Sequence, residues 1–314
     1  MSEAQHFISL HDLTAGEVAA LFDLAARVKK SPREFATALA GQTLAMIFQK
    51  SSTRTRVSFE TGMVQLGGHA LFLSSRDIQI GRGEPISDTA RVLSRYVDGV
   101  MARTFAHQDV VDLARFGTVP VVNGLTDELH PCQALADYFT LSEAFPGDLA
   151  GRKLAYVGDG NNMAHSLLLG GPKVGMDVAI AAPEGYQPAD LYVERAREAA
   201  AAAGTAITIT TDPMEAVAAA SAVYTDVWAS MGQEEEAAKR VEAFAGWTVD
   251  EKMMAMAMDD AVFLHCLPAH RGEEVAAEVI DGPQSRVFDE AENRLHAQKA
   301  VLLWLMGGAD FAIG

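Results

Sequence analysis

Thr43-Leu-Ala-Met-Ile-Phe48 is an unbroken apolar run that passes through Gln49-Lys50-Ser51 into Ser52-Thr53-Arg54-Thr55-Arg56. Val57-Ser58-Phe59-Glu60 then opens a stretch with helical spacing, expected over 57–66. An apolar run without polar alternation suits a strand covered on both faces, as in a parallel sheet, and the helix behind it supplies one cover. The unit therefore reads strand, polar turn, helix, with the turn beyond the strand's carboxyl end. In open parallel sheets that is where ligands bind.

The same pattern extends in both directions. Thr14-Ala-Gly-Glu17 has the form of a capping box and starts a helix expected to end near Lys30. Downstream, 70–74, 99–103 and 119–123 read as strands, while 86–96 and 107–116 read as helices. A longer helix is expected from His130 to about Phe145. The Pro/Gly-punctuated segment 145–151 is the candidate linker. Alternation then resumes with apolar runs at 153–159, 177–183, 206–212, 222–228 and 261–267, and a last helix is expected over 290–306. The fold expectation is α/β: two domains, each a parallel sheet flanked by helices. Residues 1–145 form the first and 146–287 the second, with a C-terminal helix, 288–314, packing back on the first.

Composition narrows the function classes. The chain has 314 residues, 42 acidic against 25 basic, and a formal net charge of −17. So acidic a chain argues against nucleic acid or an anionic membrane as partner, since both call for a basic face. Two cysteines are no disulfide framework and fit a reducing compartment. The start, MSEAQHFISL, has neither the basic-then-apolar form of a secretory signal nor the Arg-rich form of a transit peptide. A cytoplasmic enzyme is expected.

Against that background Ser52 to Arg56 stands out. Free N–H groups, the positive end of the helix dipole, three hydroxyls and two guanidinium groups on one strand–helix turn suit a phosphate. A Ser/Thr cap with solvated arginines is the plainer explanation, but it gives no reason for the crowding. Val157-Gly158-Asp159-Gly160-Asn161-Asn162 could be taken for a dinucleotide fingerprint of a dehydrogenase, yet its glycine pattern is incomplete. His265, Cys266 and His270 invite a metal reading, but lack a fourth ligand and the paired spacing of structural zinc sites.

Ser52-Thr-Arg-Thr-Arg56 followed by Val57-Ser58-Phe59-Glu60, and His130-Pro131-Cys132-Gln133-Ala-Leu-Ala-Asp137, resemble the aspartate and ornithine carbamoyltransferase family. The resemblance covers nearly the whole chain. It implies carbamoyl phosphate as donor, held by Ser52, Thr53, Arg54, Thr55, Arg103, His130, Gln133 and Arg294, with Cys266 and Leu267 close by. Arg103 and His130, with Thr55, would polarise the carbamoyl carbonyl. Gln79 resembles a residue that reaches a neighbouring subunit's pocket, which implies a homotrimer, or a multiple of trimers, with shared sites.

Asn162 and Asp226-Val-Trp-Ala-Ser230-Met231-Gly232 are similar to the ornithine-using branch. They imply that Asp226 meets the ammonium of L-ornithine while Asn162, Ser230 and the Met231 backbone meet its carboxylate. His265-Cys266-Leu267-Pro268 is similar too, and implies a cis peptide before the proline. Cys266 and Asp226 would orient or deprotonate the δ-amine. The implied activity is ornithine carbamoylation in arginine synthesis rather than breakdown, without metal or organic cofactor. N-acetylornithine and putrescine are the rival acceptors.

Overall fold

A computed structural model describes residues 4–78, 80, 83–147, 149–229 and 237–313. By contacts the chain forms two compact units, Met1–Leu135 with Arg294–Gly314, and Ala136–Asn293.

In the first unit four parallel strands lie in the order β2-β1-β3-β4: β1 (Thr43–Phe48), β2 (His69–Ser74), β3 (Gly99–Arg103) and β4 (Val121–Leu125). Helices α1 (Ala15–Lys30), α2 (Thr53–Gln65), α3 (Ile86–Leu93) and α4 (His107–Phe116) connect and flank them. The Thr14–Glu17 capping box is present in full. Ala45, Ile47, Val100 and Ala102 on the sheet pack with Val110 and Leu113 of α4 in the core. The strand order reverses between β1 and β3, so the turn after β1 and Arg103 at the end of β3 flank the switch point.

In the second unit five parallel strands run β7-β6-β5-β8-β9: β5 (Lys153–Val157), β6 (Asp177–Ala181), β7 (Ile207–Thr210), β8 (Ala222–Tyr224) and β9 (Val262–Leu264). Here the reversal lies between β5 and β8, beside the segments that begin at Gly158 and Thr225. Its helices include α6 (Asn162–Gly170), α7 (Asp190–Ala203) and the short α8 (Pro213–Val217), α9 (Ala237–Ala243), α10 (Glu251–Met254) and α11 (Ala277–Ile280).

Two long helices, α5 (Pro131–Ala144) and α12 (Val287–Met306), contain the points where the contacts divide. The Pro/Gly segment 145–151 groups by contacts with the second unit. Phe145 is buried under the Arg152 guanidinium, 4.0 Å from its centroid, and Gly151 N–H donates to the Gly175 carbonyl. The end of α12 does pack back on the first unit. Trp304 meets Phe7 edge-on at 6.4 Å, and Gln42 Nε2 donates to the Met306 carbonyl at 3.0 Å.

Several elements differ from the sequence reading for local reasons. Helix α2 starts at Thr53 because the Ser52 side chain caps it, so the polar turn is itself helical. Strand β4 begins after Pro120, which has no N–H to give a ladder. Strand β9 stops at Leu264 because the His265 N–H donates to the Glu290 side chain instead of a neighbouring strand.

Candidate active site

In the first unit the site grows from the cap of α2. Ser52 Oγ accepts from the Thr55 N–H at 3.2 Å and donates to Thr55 Oγ1 at 3.1 Å. That fixes Thr55, which is buried, as a hub. Its hydroxyl also receives Arg103 Nη1 at 3.5 Å, from the end of β3, and Arg294 Nη2 at 3.3 Å, from α12. Arg294 Nη1 donates to Gln133 Oε1 at 2.5 Å. A hydroxyl has two lone pairs and one hydrogen, so three donors around it compete and the long arginine bonds are readily surrendered to an anion. These bonds orient the guanidinium groups without neutralising them.

His130 precedes Pro131, the first residue of α5. Burial is the main cause that holds its imidazole well below the usual histidine range, followed by the charges of Arg294, Arg103 and Arg54. It is therefore a neutral ring at working pH, able to donate one N–H without adding charge. Arg54, Thr55, Arg103, His130, Gln133 and Arg294 thus form one cationic cluster. The two arginines of the turn part company: Arg56 pairs with Glu60 at 3.0 Å and lies 3.8 Å over the Phe72 ring. Thr53 is exposed. Gln79 lies outside the described residues.

In the second unit Asp226, just past β8, occupies the corresponding centre. Its Oδ2 accepts from Asn161 Nδ2 at 3.0 Å, and its Oδ1 accepts from the Val227 N–H at 2.8 Å and from the Cys266 thiol at 3.1 Å. Asn161, which the sequence reading passed over, is the N-cap of α6, accepting from the Met163 N–H at 2.8 Å. An Asx residue before an apolar helix was the available signal. Asn162 begins that helix, half-buried. Ser230 and Met231 lie outside the described residues.

Burial, and then the Asp226 carboxylate beside it, push the Cys266 thiol well above its ordinary range. It is a neutral donor to Asp226, which suits orienting an amine and does not suit removing its proton. Leu267 follows with φ +57°, and the Leu267–Pro268 peptide is cis.

His265 is fully buried and its ring is committed to the fold. The Leu267 N–H donates to Nδ1 at 2.8 Å, so the proton sits on Nε2, facing Glu274 Oε1 at 3.2 Å. The ligand atoms of Asp226, His265 and Cys266 lie close together, but both imidazole nitrogens already serve these contacts. Glu290 accepts from the His265 N–H at 2.9 Å and from the Tyr224 hydroxyl at 3.3 Å. Burial, and then the Asp137 charge, hold its carboxyl well above the usual range, so this pair shares a proton.

The glycines after β5 have a structural explanation. Gly160 N–H donates to the Tyr186 carbonyl at 2.7 Å, and a Cβ there would collide with the backbone of Gln187 and Pro188. Close backbone approach, rather than a pyrophosphate, accounts for that glycine.

Residues 5–143 match the family model described as aspartate/ornithine carbamoyltransferase, carbamoyl-P binding domain, and residues 150–305 match its Asp/Orn binding domain. An ornithine carbamoyltransferase of Symbiobacterium thermophilum is 59% identical over 308 residues, covering 97% of this chain and 98% of that one. The anabolic ornithine carbamoyltransferase of Pyrococcus furiosus is 54% identical over 310 residues, covering 97% of each. The solved structure of a Pyrococcus furiosus ornithine carbamoyltransferase superposes with a TM-score of 0.93 at 54% identity, over 97% of this chain and 98% of that one. The ornithine transcarbamoylase structure from Giardia lamblia does so with 0.89 at 34% identity, over 98% and 100%.

Proposed function

The chain belongs to the aspartate/ornithine carbamoyltransferase family, and from that premise we propose that it transfers the carbamoyl group of carbamoyl phosphate to the δ-amine of L-ornithine, giving L-citrulline and phosphate. The observation that carries the donor half is the Thr55 hub. Ser52, Arg103 and Arg294 converge on one hydroxyl, with neutral His130 in the field of the same arginines.

Donor chemistry follows from this cluster. Ser52, Thr53, the α2 N-terminus and Arg54 hold the phosphate, where N–H groups and a guanidinium suit an anion. Gln79 adds to this pocket from a neighbouring subunit. Arg103, His130 and Thr55 donate to the carbamoyl carbonyl oxygen, on which negative charge builds as the carbon becomes tetrahedral. Gln133, aligned by Arg294, accepts from the carbamoyl amide. The Leu267 carbonyl and Cys266 complete the ligand set.

The acceptor is bound by groups of the second unit. Asp226 pairs with the ornithine ammonium, while Asn162, Ser230 and the Met231 backbone donate to its carboxylate. The δ-amine has a lysine-like pKa of about 10.4, so the neutral form must be selected or made. As it attacks, a C–N bond forms, the C–O bond to phosphate breaks, and the surplus amine proton leaves with the phosphate. Cys266, a neutral thiol, orients this amine. Holding both substrates in bonding reach supplies much of the rate through proximity. The chemistry needs neither metal nor organic cofactor.

The reading extends to setting. Synthesis of citrulline for arginine production is the proposed direction, supported by identity to an enzyme named anabolic. A homotrimer is supported by apolar side chains exposed on one edge of the first unit: Val57 and Val64 of α2, and Leu71 and Phe72 of edge strand β2. Two free cysteines fit a cytoplasmic setting. Among the described residues no helix is long and apolar enough to cross a membrane.

The direct test is citrulline formation from carbamoyl phosphate and ornithine, by wild type and by Arg54→Ala. Activity in the first and a large loss in the second is expected. Full activity in Arg54→Ala would remove the donor assignment.

A further inference from the structure

Arg240 of α9 is almost wholly buried, and its guanidinium ties together two segments that are distant in sequence. Nη1 donates to Asp159 Oδ2 at 2.7 Å and to the Trp228 carbonyl at 2.8 Å. The side chains of both members of the ion pair are under a tenth exposed. Above them the guanidinium lies 5.1 Å from the Tyr186 ring centroid, and Tyr186 and Trp228 both pack on Phe244, at 5.1 and 5.6 Å.

The positions held are telling. Asp159 follows β5 and precedes Asn161 and Asn162; Trp228 follows Asp226 past β8. The same two segments are joined a second time by Asn161 Nδ2 to Asp226 Oδ2 at 3.0 Å. Two ties leave little freedom in the separation of Asn162 from Asp226. A buried ion pair is a poor choice for stability alone, because desolvating two charges offsets most of their attraction and apolar replacements often fold as well. Its directional bonds do fix geometry, and an arginine can serve two acceptors at once.

We propose that Arg240, clamped by Asp159, is a positioning residue for the amino-acid substrate. It sets the spacing between the segments that bear Asn162 and Asp226, and so the fit of the ammonium and carboxylate of the acceptor. The inference rests on the acceptor assignment made under Proposed function. It touches no reacting atom, so its mark is a split between substrates.

Steady-state kinetics on wild type, Arg240→Gln, Arg240→Lys, Asp159→Asn and the double variant Arg240→Gln/Asp159→Asn tests it, with thermal melts to establish folding. The KM for ornithine should rise about tenfold or more in Arg240→Gln and Asp159→Asn, while the KM for carbamoyl phosphate and kcat stay within about twofold. Arg240→Lys, which keeps the charge, should recover part of the loss. The double variant should be no worse than the poorer single one, because each change breaks the same tie. Equal losses for both substrates, or an unchanged KM for ornithine in a folded Arg240→Gln or Asp159→Asn, would overturn the clamp. Should Arg240→Gln fail to fold, Asp159→Asn and Arg240→Lys decide alone. A wild type that carbamoylates no ornithine sinks the acceptor reading itself, and the clamp with it.

Discussion

His130 in the first unit is held in its neutral form by burial and by the charges of Arg294, Arg103 and Arg54. Cys266 and Glu290 in the second are also held neutral, by burial and by the charges of Asp226 and Asp137 respectively. A base is kept from gaining a proton where the field is positive, and acids from losing one where it is negative. The two centres are thus electrostatic opposites, a contrast that fits the proposed phosphate at the first and the proposed ammonium at the second. They are also built differently. The first gathers around a helix cap, Ser52, that fixes Thr55, whose hydroxyl receives two arginines, whereas the second is a carboxylate wedged between segments from three strand ends.

The sharpest way to break this comparison is to remove a donor from the cationic centre. Arg103→Ala should lower kcat by about 10²–10³, as expected for one lost oxyanion-stabilising group, with little change in the KM for ornithine. A loss confined to the KM for ornithine would show the centres to be wrongly divided. In the anionic centre, Asp226→Asn should cost roughly 1.5–3 kcal/mol of acceptor binding, on the order of 10- to 100-fold in KM for ornithine. Binding of carbamoyl phosphate, followed calorimetrically, should hardly move.

Legibility in the sequence follows the same division. Ser52 to Arg56 is contiguous, lies between an apolar strand and a helix, and carries its meaning in residue types alone. The alternation of apolar runs likewise foretold both parallel sheets. Asn161 was legible only as a helix cap and Arg240 not at all, because their importance comes from pairing with Asp226 across 65 residues and with Asp159 across 81. Nothing local announces such partners. For His265, the sequence set a metal reading aside for want of a fourth ligand but did not tell what the ring does instead, which is to bond with Leu267 and Glu274. The proline and glycine at 145–151 suggested a linker, and the two family models change over around it, the first ending at 143 and the second starting at 150, while packing of Phe145 under Arg152 groups the segment with the second unit.

Two smaller effects sharpen the contrast. His130 has a folded-state pKa below its unfolded value, so the unfolded chain binds the extra proton first. Its contribution to stability is therefore full above the ordinary histidine pKa of about 6.5 and is lost as pH falls towards the folded value. In that window the slope contributed is at most about 1.4 kcal/mol per pH unit, and His130→Gln should remove it from denaturant-melt stabilities. Glu290 acts in the opposite sense, its raised pKa costing stability as pH rises, and that background cancels in the difference between wild type and His130→Gln. Smallest of all, Ser52→Ala deletes a helix cap and should cost about 1 kcal/mol in the same melts. It should also loosen Thr55, so kcat should fall more than stability alone accounts for.

Most direct for the account as a whole is the choice of acceptor. Initial rates with saturating carbamoyl phosphate and equal concentrations of ornithine, N-acetylornithine, putrescine and aspartate would measure it. An anionic centre built around Asp226 for a free amino acid with a side-chain amine predicts a clear preference for ornithine. Preference for N-acetylornithine, for putrescine or for the dicarboxylate aspartate would contradict it.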